Sequence, residues 1–259
     1  MKKHFFAFSL IASVVSVALP MQVFAASLNT NLIVNGNAEQ GQGDPIGNAV
    51  GTDVPAIPDW NPTGSFSVLR YGAQGFSFIN RFGDLVNVTL PALDVPGPSE
   101  RGENLFFGGA DRASSSASQL IDVANLASVI DTAQGAFTLS GWLGGYSTDE
   151  DSASLQITFL DQASNSLGTA SIASPTAAQR NNTTGLFFQS DNGFVPVGTR
   201  QINVLLNATY AGGRVNDAYA DNLSLVITQV PEPSISGFLL IGASYLMVIK
   251  LRRNSKILE

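Results

Sequence analysis

The chain is 259 residues long, contains no cysteine and a single histidine, His4, and carries a formal net charge of −7. Without thiols there is no disulfide framework, thiolate metal site or thiol nucleophile. With His4 near the start, the rest of the chain lacks an imidazole, which excludes Ser-His-Asp catalysis and His-ligated zinc.

In chain order, Met1 to His4 form a basic start, Phe5 to Leu19 an apolar run, and Val23-Phe24-Ala25 a small-residue site after Pro20. Together these predict a secretory signal peptide over residues 1–25, processed by signal peptidase after Ala25 or Ala26; the run is too short to span a membrane comfortably. Residues 26–229 then read as one β domain. Gln40 to Pro62, rich in Gly, Pro and Asp, reads as a long loop. Strands are predicted over Ser65–Tyr71, Asn104–Phe107 and Ala117–Val123, with a helical turn within Val123–Thr132. Alternation of apolar and polar residues predicts further strands over Phe137–Leu143, Ser154–Leu160, Gln201–Asn207 and Ala220–Thr228. No internal repeat of 20–50 residues is present. Short strands joined by Gly-, Ser- and Asn-rich loops predict an all-β, antiparallel β-sandwich of jelly-roll type.

Charge is unevenly placed. All four lysines (Lys2, Lys3, Lys250, Lys256) lie in the end segments, so the domain sets seven arginines against 18 of the 20 acids, a net charge of about −11. Such a surface repels nucleic acid. It suits Ca²⁺, whose ligands are carboxylate and carbonyl oxygens, or serves solubility alone.

After the domain, Val230-Pro231-Glu232-Pro233 precedes an apolar stretch over residues 234–249 and then Lys250-Leu251-Arg252-Arg253. The prolines stop any strand or helix continuing from the domain. Sixteen residues of helix reach about 24 Å, just short of a hydrocarbon core, with the cations expected on the cytoplasmic side. Residues 230–259 resemble the PEP-CTERM sorting signal of exported bacterial proteins, with Pro231, Glu232 and Pro233 as the sorting motif. That resemblance implies an exosortase as a processing partner. It also implies transient membrane anchoring and a destination at the cell surface or in the extracellular matrix.

The domain opens with Asn31-Leu32-Ile33-Val34-Asn35-Gly36-Asn37-Ala38-Glu39 and closes with Asn216-Asp217-Ala218-Tyr219-Ala220-Asp221-Asn222-Leu223-Ser224. These segments resemble the first and last strands of galactose-binding-domain-like jelly rolls, which include many carbohydrate-binding modules. The resemblance implies that the two strands lie side by side and that Glu39 and Asp221 hold a structural Ca²⁺. Ala38 departs from the family, where a Phe is usual.

A third segment runs from Leu139 through Trp142, Gly144-Gly145, Tyr146 and Asp149-Glu150-Asp151. An exposed aromatic ring stacks on the apolar face of a sugar while neighbouring acids accept its hydroxyl protons. Trp142 is expected to share the buried face of the leucines. Tyr146, past the glycines, is expected to be the more exposed, with Asp149 and Asp151 as its partners in ligand contact. Trp60 is expected to pack, and Asp111 with Arg112 to border a turn. The leading expectation is therefore a non-enzymatic protein that binds a polysaccharide or matrix glycan. The alternatives are a purely structural matrix component and a glycoside hydrolase using two carboxylates. For the hydrolase, the adjacency of Asp149, Glu150 and Asp151 leaves only alternate members on one face.

Overall fold

Strict alternation along the longest predicted strands turns into two facing sheets. The computed structural model describes residues 25–231; residues 1–24 of the predicted leader, Glu232, Pro233 and the apolar run 234–249 fall outside the described residues. Twelve strands are present within that range: β1 (Asn61–Thr63), β2 (Ser67–Arg70), β3 (Phe76–Ile79), β4 (Leu85–Val88), β5 (Asn104–Gly109), β6 (Ser115–Asp122), β7 (Gly135–Gly145), β8 (Ser152–Leu160), β9 (Ser166–Ala173), β10 (Gly185–Phe194), β11 (Gln201–Thr209) and β12 (Asn216–Gln229). One sheet has the order β1-β6-β11-β8-β9, the other β10-β7-β12-β5-β2, and β3 with β4 forms a separate hairpin. All the strand pairs are antiparallel. The helical turn predicted between β6 and β7 is α1 (Ala127–Ile130), entered through a 3-10 turn over Ala124–Leu126.

The main core lies between the two five-stranded sheets. Leu155, Ile157 and Phe159 of β8 and Ile202, Val204 and Leu206 of β11 face Phe137, Leu139 and Leu143 of β7 and Leu223, Leu225 and Ile227 of β12. Their partners in the first sheet, among them Gln156, Thr158, Asn203 and Asn207, face outward and are half-buried. Each large side chain moved wholly out of water contributes about 1.5–3 kcal/mol, so this interdigitated layer is the main source of stability.

A second, smaller core lies on the outer side of the second sheet. Here Leu105 and Phe107 of β5 pack with Leu69, Tyr71, Leu90, Leu186 and Tyr219. β5 is consequently buried on both faces, with all six residues inside. Its Phe106 points the other way, into the main core against Trp60, with ring centroids 5.3 Å apart.

The opening segment lies beside the last strand, as the resemblance implied, though it forms only an isolated bridge, Asn31 with Val226. Asn29 N–H donates to Ile227 O, Leu32 N–H to Leu225 O, and Leu223 N–H to Gly36 O. Ala38, where a Phe is usual in the resembled family, has φ +58° and is buried. That left-handed backbone favours a small residue.

Trp142 corrects one expectation. Leu139, Gly141 and Leu143 are buried toward the main core, so the period of two turns Trp142 to the opposite face, where it is half-buried against the second core.

Candidate functional site

Two places collect the acids singled out in the sequence. The first is where the loop from β7 to β8 meets the loop from β11 to β12. Gly144, the last but one residue of β7, is in tight contact with β10: a Cβ on it would run into the carbonyl oxygen of Gly185. The chain then turns outward through Tyr146. Tyr146, Ser147, Thr148, Asp149 and Glu150, with Ala211 and Gly212 from the other loop, line one open cavity of about 400 Å³. The Tyr146 hydroxyl shares a 2.7 Å hydrogen bond with the Thr89 hydroxyl, which orients the ring.

Asp151 has a different position from the exposed contact expected for it. It is 3% exposed. Its Oδ1 accepts N–H bonds from Ala211 (2.6 Å) and Gly212 (3.2 Å), and its Oδ2 one from Asp217 (2.7 Å). It is therefore the fastener that joins the two loops, and Tyr146 and Asp149 are the residues left facing the cavity.

Arg180 completes the fastening. Its guanidinium, in a residue only 3% exposed, donates to four carbonyl oxygens: Ser147 (2.6 Å), Thr183 (2.8 Å), Tyr146 (3.2 Å) and Asp149 (2.6 Å). It makes no carboxylate contact, yet its charge opposes the negative field of Glu150, Asp149 and Asp217.

Asp217 lies under this loop, on β12. Its Oδ1 accepts a 2.5 Å bond from the Tyr219 hydroxyl. Burial raises the Asp217 carboxyl to about 7, and the nearby Asp149 and Asp151 push the same way, against the Tyr219 bond and the Arg180 charge. Burial also raises Asp151, offset by its three N–H donors. Ligand oxygens of Asp149, Asp151 and Asp217 lie within 4.8 Å of one another. However, Asp151 spends both oxygens on N–H groups and Asp217 one on Tyr219, so the cluster reads as loop architecture with Arg180 as its counter-charge.

The second place joins Glu39 and Asp221, the two residues the resemblance implied as metal ligands. Asp221 is fully buried; its Oδ2 accepts from the Tyr71 hydroxyl (2.8 Å) and its Oδ1 from Asn222 N–H (2.7 Å). Burial raises its carboxyl to about 7; the Tyr71 bond lowers it, the Glu39 charge adds to the rise, and Arg101 opposes it. Glu39 Oε1 accepts from the N–H groups of Glu103 (3.0 Å) and Asn104 (2.8 Å). Gly102, at φ +66°, brings its backbone against the same carboxylate, where a Cβ would meet Oε1 at 2.5 Å. The half-buried Glu39 is thus close enough for its charge to act on the buried Asp221, and carboxylate oxygens are of the hard type that suits Ca²⁺. The resident cation nearby is Arg101, which lies over the Tyr71 ring at 5.2 Å and donates to Pro98 O and Val95 O.

The remaining residues behave simply. Trp60 is buried, with its Nε1–H bonded to Asn35 O (3.2 Å). Asp111 and Arg112 sit exposed at a turn, where Asp111 Oδ1 accepts from Arg112 N–H.

Sequence reasoning missed Arg180 and the role of Asp217. The signal for Asp217 was available, because Asp217, Tyr219 and Asp221 alternate by two and so share one face of a strand. Among the described residues, no helix is long and apolar enough to cross a membrane.

No family model matches the chain, and no curated protein matches it either. Solved structures with a similar course exist. The enzymatically active domain of tailspike protein 4 from bacteriophage CBA120 is 16% identical at a TM-score of 0.44, over 76% of this chain and 21% of that one. A family 16 carbohydrate-binding module is 16% identical at 0.41, over 76% of this chain and 99% of the module. The xylan-binding domain from Paenibacillus barcinonensis is 10% identical at 0.36, over 80% of this chain and all of that domain. The chain thus spans about a fifth of the tailspike domain and nearly the full length of the two binding modules.

Proposed function

We propose that this is an exported, non-enzymatic β-sandwich of jelly-roll type that binds glycan or exopolysaccharide at the cell surface or in the extracellular matrix. Delivery would run through signal peptidase at the leader and an exosortase at Pro231-Glu232-Pro233, with the membrane as a transient station. The observation that carries the binding reading is the open cavity that Tyr146, Asp149 and Glu150 share. Tyr146, half-buried against the second core rather than exposed as expected and held by Thr89, gives the cavity an aromatic wall beside two carboxylates that accept hydroxyl protons. The loop that presents them is held by Arg180 and Asp151, so little ordering is left to be done on binding.

Against hydrolysis, the acids that line the cavity, Asp149 and Glu150, are adjacent in sequence and do not stand across a scissile bond, and of the cluster Asp149, Asp151 and Asp217 only Asp149 reaches the cavity. Two of the three are also buried. Glu39 and Asp221 are proposed to hold a structural Ca²⁺, whose charge would offset the rise that burial and the Glu39 charge impose on Asp221.

The test is a glycan array probed with the chain from Ala26 to Val230. Tyr146→Ala and Asp149→Ala are each expected to weaken the best ligand about tenfold, the equivalent of one charged hydrogen bond or stacking contact. No binding to any glycan by the unaltered protein, with or without Ca²⁺, would leave the purely structural matrix role in its place.

A further inference from the structure

The second sheet has an outer face that the Tyr146 cavity does not use. Beyond the second core, three strands project aligned rows of side chains there: Ser190, Ser140 and Ser224 form one, and Asn192, Thr138 and Val226 the next. Trp142 and Phe188 stand opposite each other at the inner end, in edge contact at 5.8 Å, with Phe188 55% exposed. Phe194 stands at the outer end, 67% exposed. Six residues of strand separate the two phenylalanines, about 20 Å. Beside Ser224 opens a cavity of about 350 Å³ with the amides of Asn31, Asn35, Asn37 and Asn222 in its wall.

The two rows between the rings bear no charged side chain, and the carboxylate registered beside Trp142, that of Asp221, is fully buried, within a domain that carries 18 acids and seven arginines. Hydroxyls, amides and flat rings without charge match an uncharged polyhydroxylated chain. A polyanion meets the domain's overall negative field, and a polycation finds no carboxylate on the rows. Strand addition along β10 is also disfavoured. The Asp191 carboxylate accepts the Asn192 N–H at 2.8 Å, and Pro96 O accepts that of Leu186 at 2.9 Å. Two points of the edge are therefore closed to an incoming strand. The surface on offer is the face, not the edge.

We propose that an extended, neutral glycan lies lengthwise on β10 and β7, stacked on Phe188 with Trp142 at one end and on Phe194 at the other. Its hydroxyls bond to the serine and asparagine rows between. This rests on the glycan-binding reading and names the ligand as a polymer rather than a short sugar.

The experiment is affinity electrophoresis of the full chain in gels containing dextran, mixed-linkage β-glucan or xyloglucan, with polygalacturonate as the charged control. Short oligosaccharides of the same sugars are titrated in parallel. Phe188→Ala/Phe194→Ala and, separately, Ser190→Glu are expected to weaken retention by a neutral polymer at least tenfold at unchanged melting temperature, and to leave oligosaccharide affinity within twofold. The unaltered chain should be insensitive to salt, because no ion pair is involved. If both variants keep full polymer retention while Tyr146→Ala abolishes it, the face is not a binding surface and the cavity reading stands alone. If the unaltered chain binds no sugar at any length, both readings fall. If the phenylalanine variant turns a dimer into a monomer in sedimentation without altering retention, the face is a self-contact and the proposal is overturned.

Discussion

At the scale of single residues, the unusual charges are Asp217 and Asp221, each raised by burial to about 7. Unfolded, both titrate near the ordinary 3.8. Between about pH 4 and pH 7 the native state therefore holds more protons than the unfolded chain, so stability falls as pH rises across that window. The contribution is complete below about 4 and lost above about 7. Asp131 and Asp161, lowered by hydrogen bonds from Arg200 and Asn165, work in the opposite sense, and only at more acid pH. Thermal melting in the absence of divalent ions should thus give a higher midpoint at pH 5 than at pH 8, by about 5 °C or more. Asp217→Asn or Asp221→Asn, each still able to accept the tyrosine hydroxyl bond, should flatten this difference. A midpoint independent of pH in the unaltered protein would show that neither carboxyl is held neutral. The tyrosines themselves were legible in sequence only as aromatics; their pairing with buried acids depends on contacts 150 residues apart for Tyr71 and two apart for Tyr219.

At the scale of elements, β2, β5 and β6 were legible in part, and the strands most legible are those whose inward positions hold large apolar residues: β7, β8, β11 and β12. Their period of two is set by burial on one face, and the predicted spans fall within the observed ones. β9 escaped notice because of its eight residues only Ile172 is buried. β10 was missed because it is an edge strand whose bulky residues, Phe188 and Phe194, face solvent. β3 and β4 form a hairpin outside both sheets whose alternation reaches only half-burial, with Ile79 and Leu85 exposed, so no fully buried face marks them. Trp142 was assigned to the wrong face by one residue, which in a strand inverts the side chain completely. Arg180 was illegible for another reason. Its partners are backbone carbonyls of loops, and nothing in residue types announces which carbonyls will converge. Replacing it tests how far one side chain organises two segments, the Tyr146–Asp149 loop and its own loop at Thr183. Arg180→Met should remove four bonds at once and cost about 3–5 kcal/mol, read as a lower denaturation midpoint. Protease cleavage should then appear within residues 146–151 before the sheets unfold. Arg180→Lys, which cannot span four carbonyls, should recover only a small part.

At the scale of the whole molecule, the acidic domain holds itself together with few ion pairs: Arg70 with Glu103 and Arg200 with Asp131 are the pairs among the described residues. Its cohesion comes from the layer between the sheets, and its negative field remains available to a cation. If Ca²⁺ binds at Glu39 and Asp221 in the native state alone, millimolar Ca²⁺ at pH 8 raises the melting midpoint and EDTA reverses it. Glu39→Gln and Asp221→Asn should abolish the response, while Asp149→Asn leaves it intact. The same melting curve with Ca²⁺ and with EDTA would remove the ion from this protein.

The placement of β12 has a mechanical meaning. It is the strand from which the chain departs, with Val230 N–H still bonded to Gln134 O at its end. It runs between β7 on one side and, on the other, first β5 and then the segment that starts at Asn29. A pull along its axis from beyond Pro231 loads both borders in shear, so the bonds on each side must fail together rather than open one after another. A protein held by its C-terminal end would then carry tension through its best-supported strand, leaving the loop that carries Tyr146 and the edge strand β10 outside the line of force.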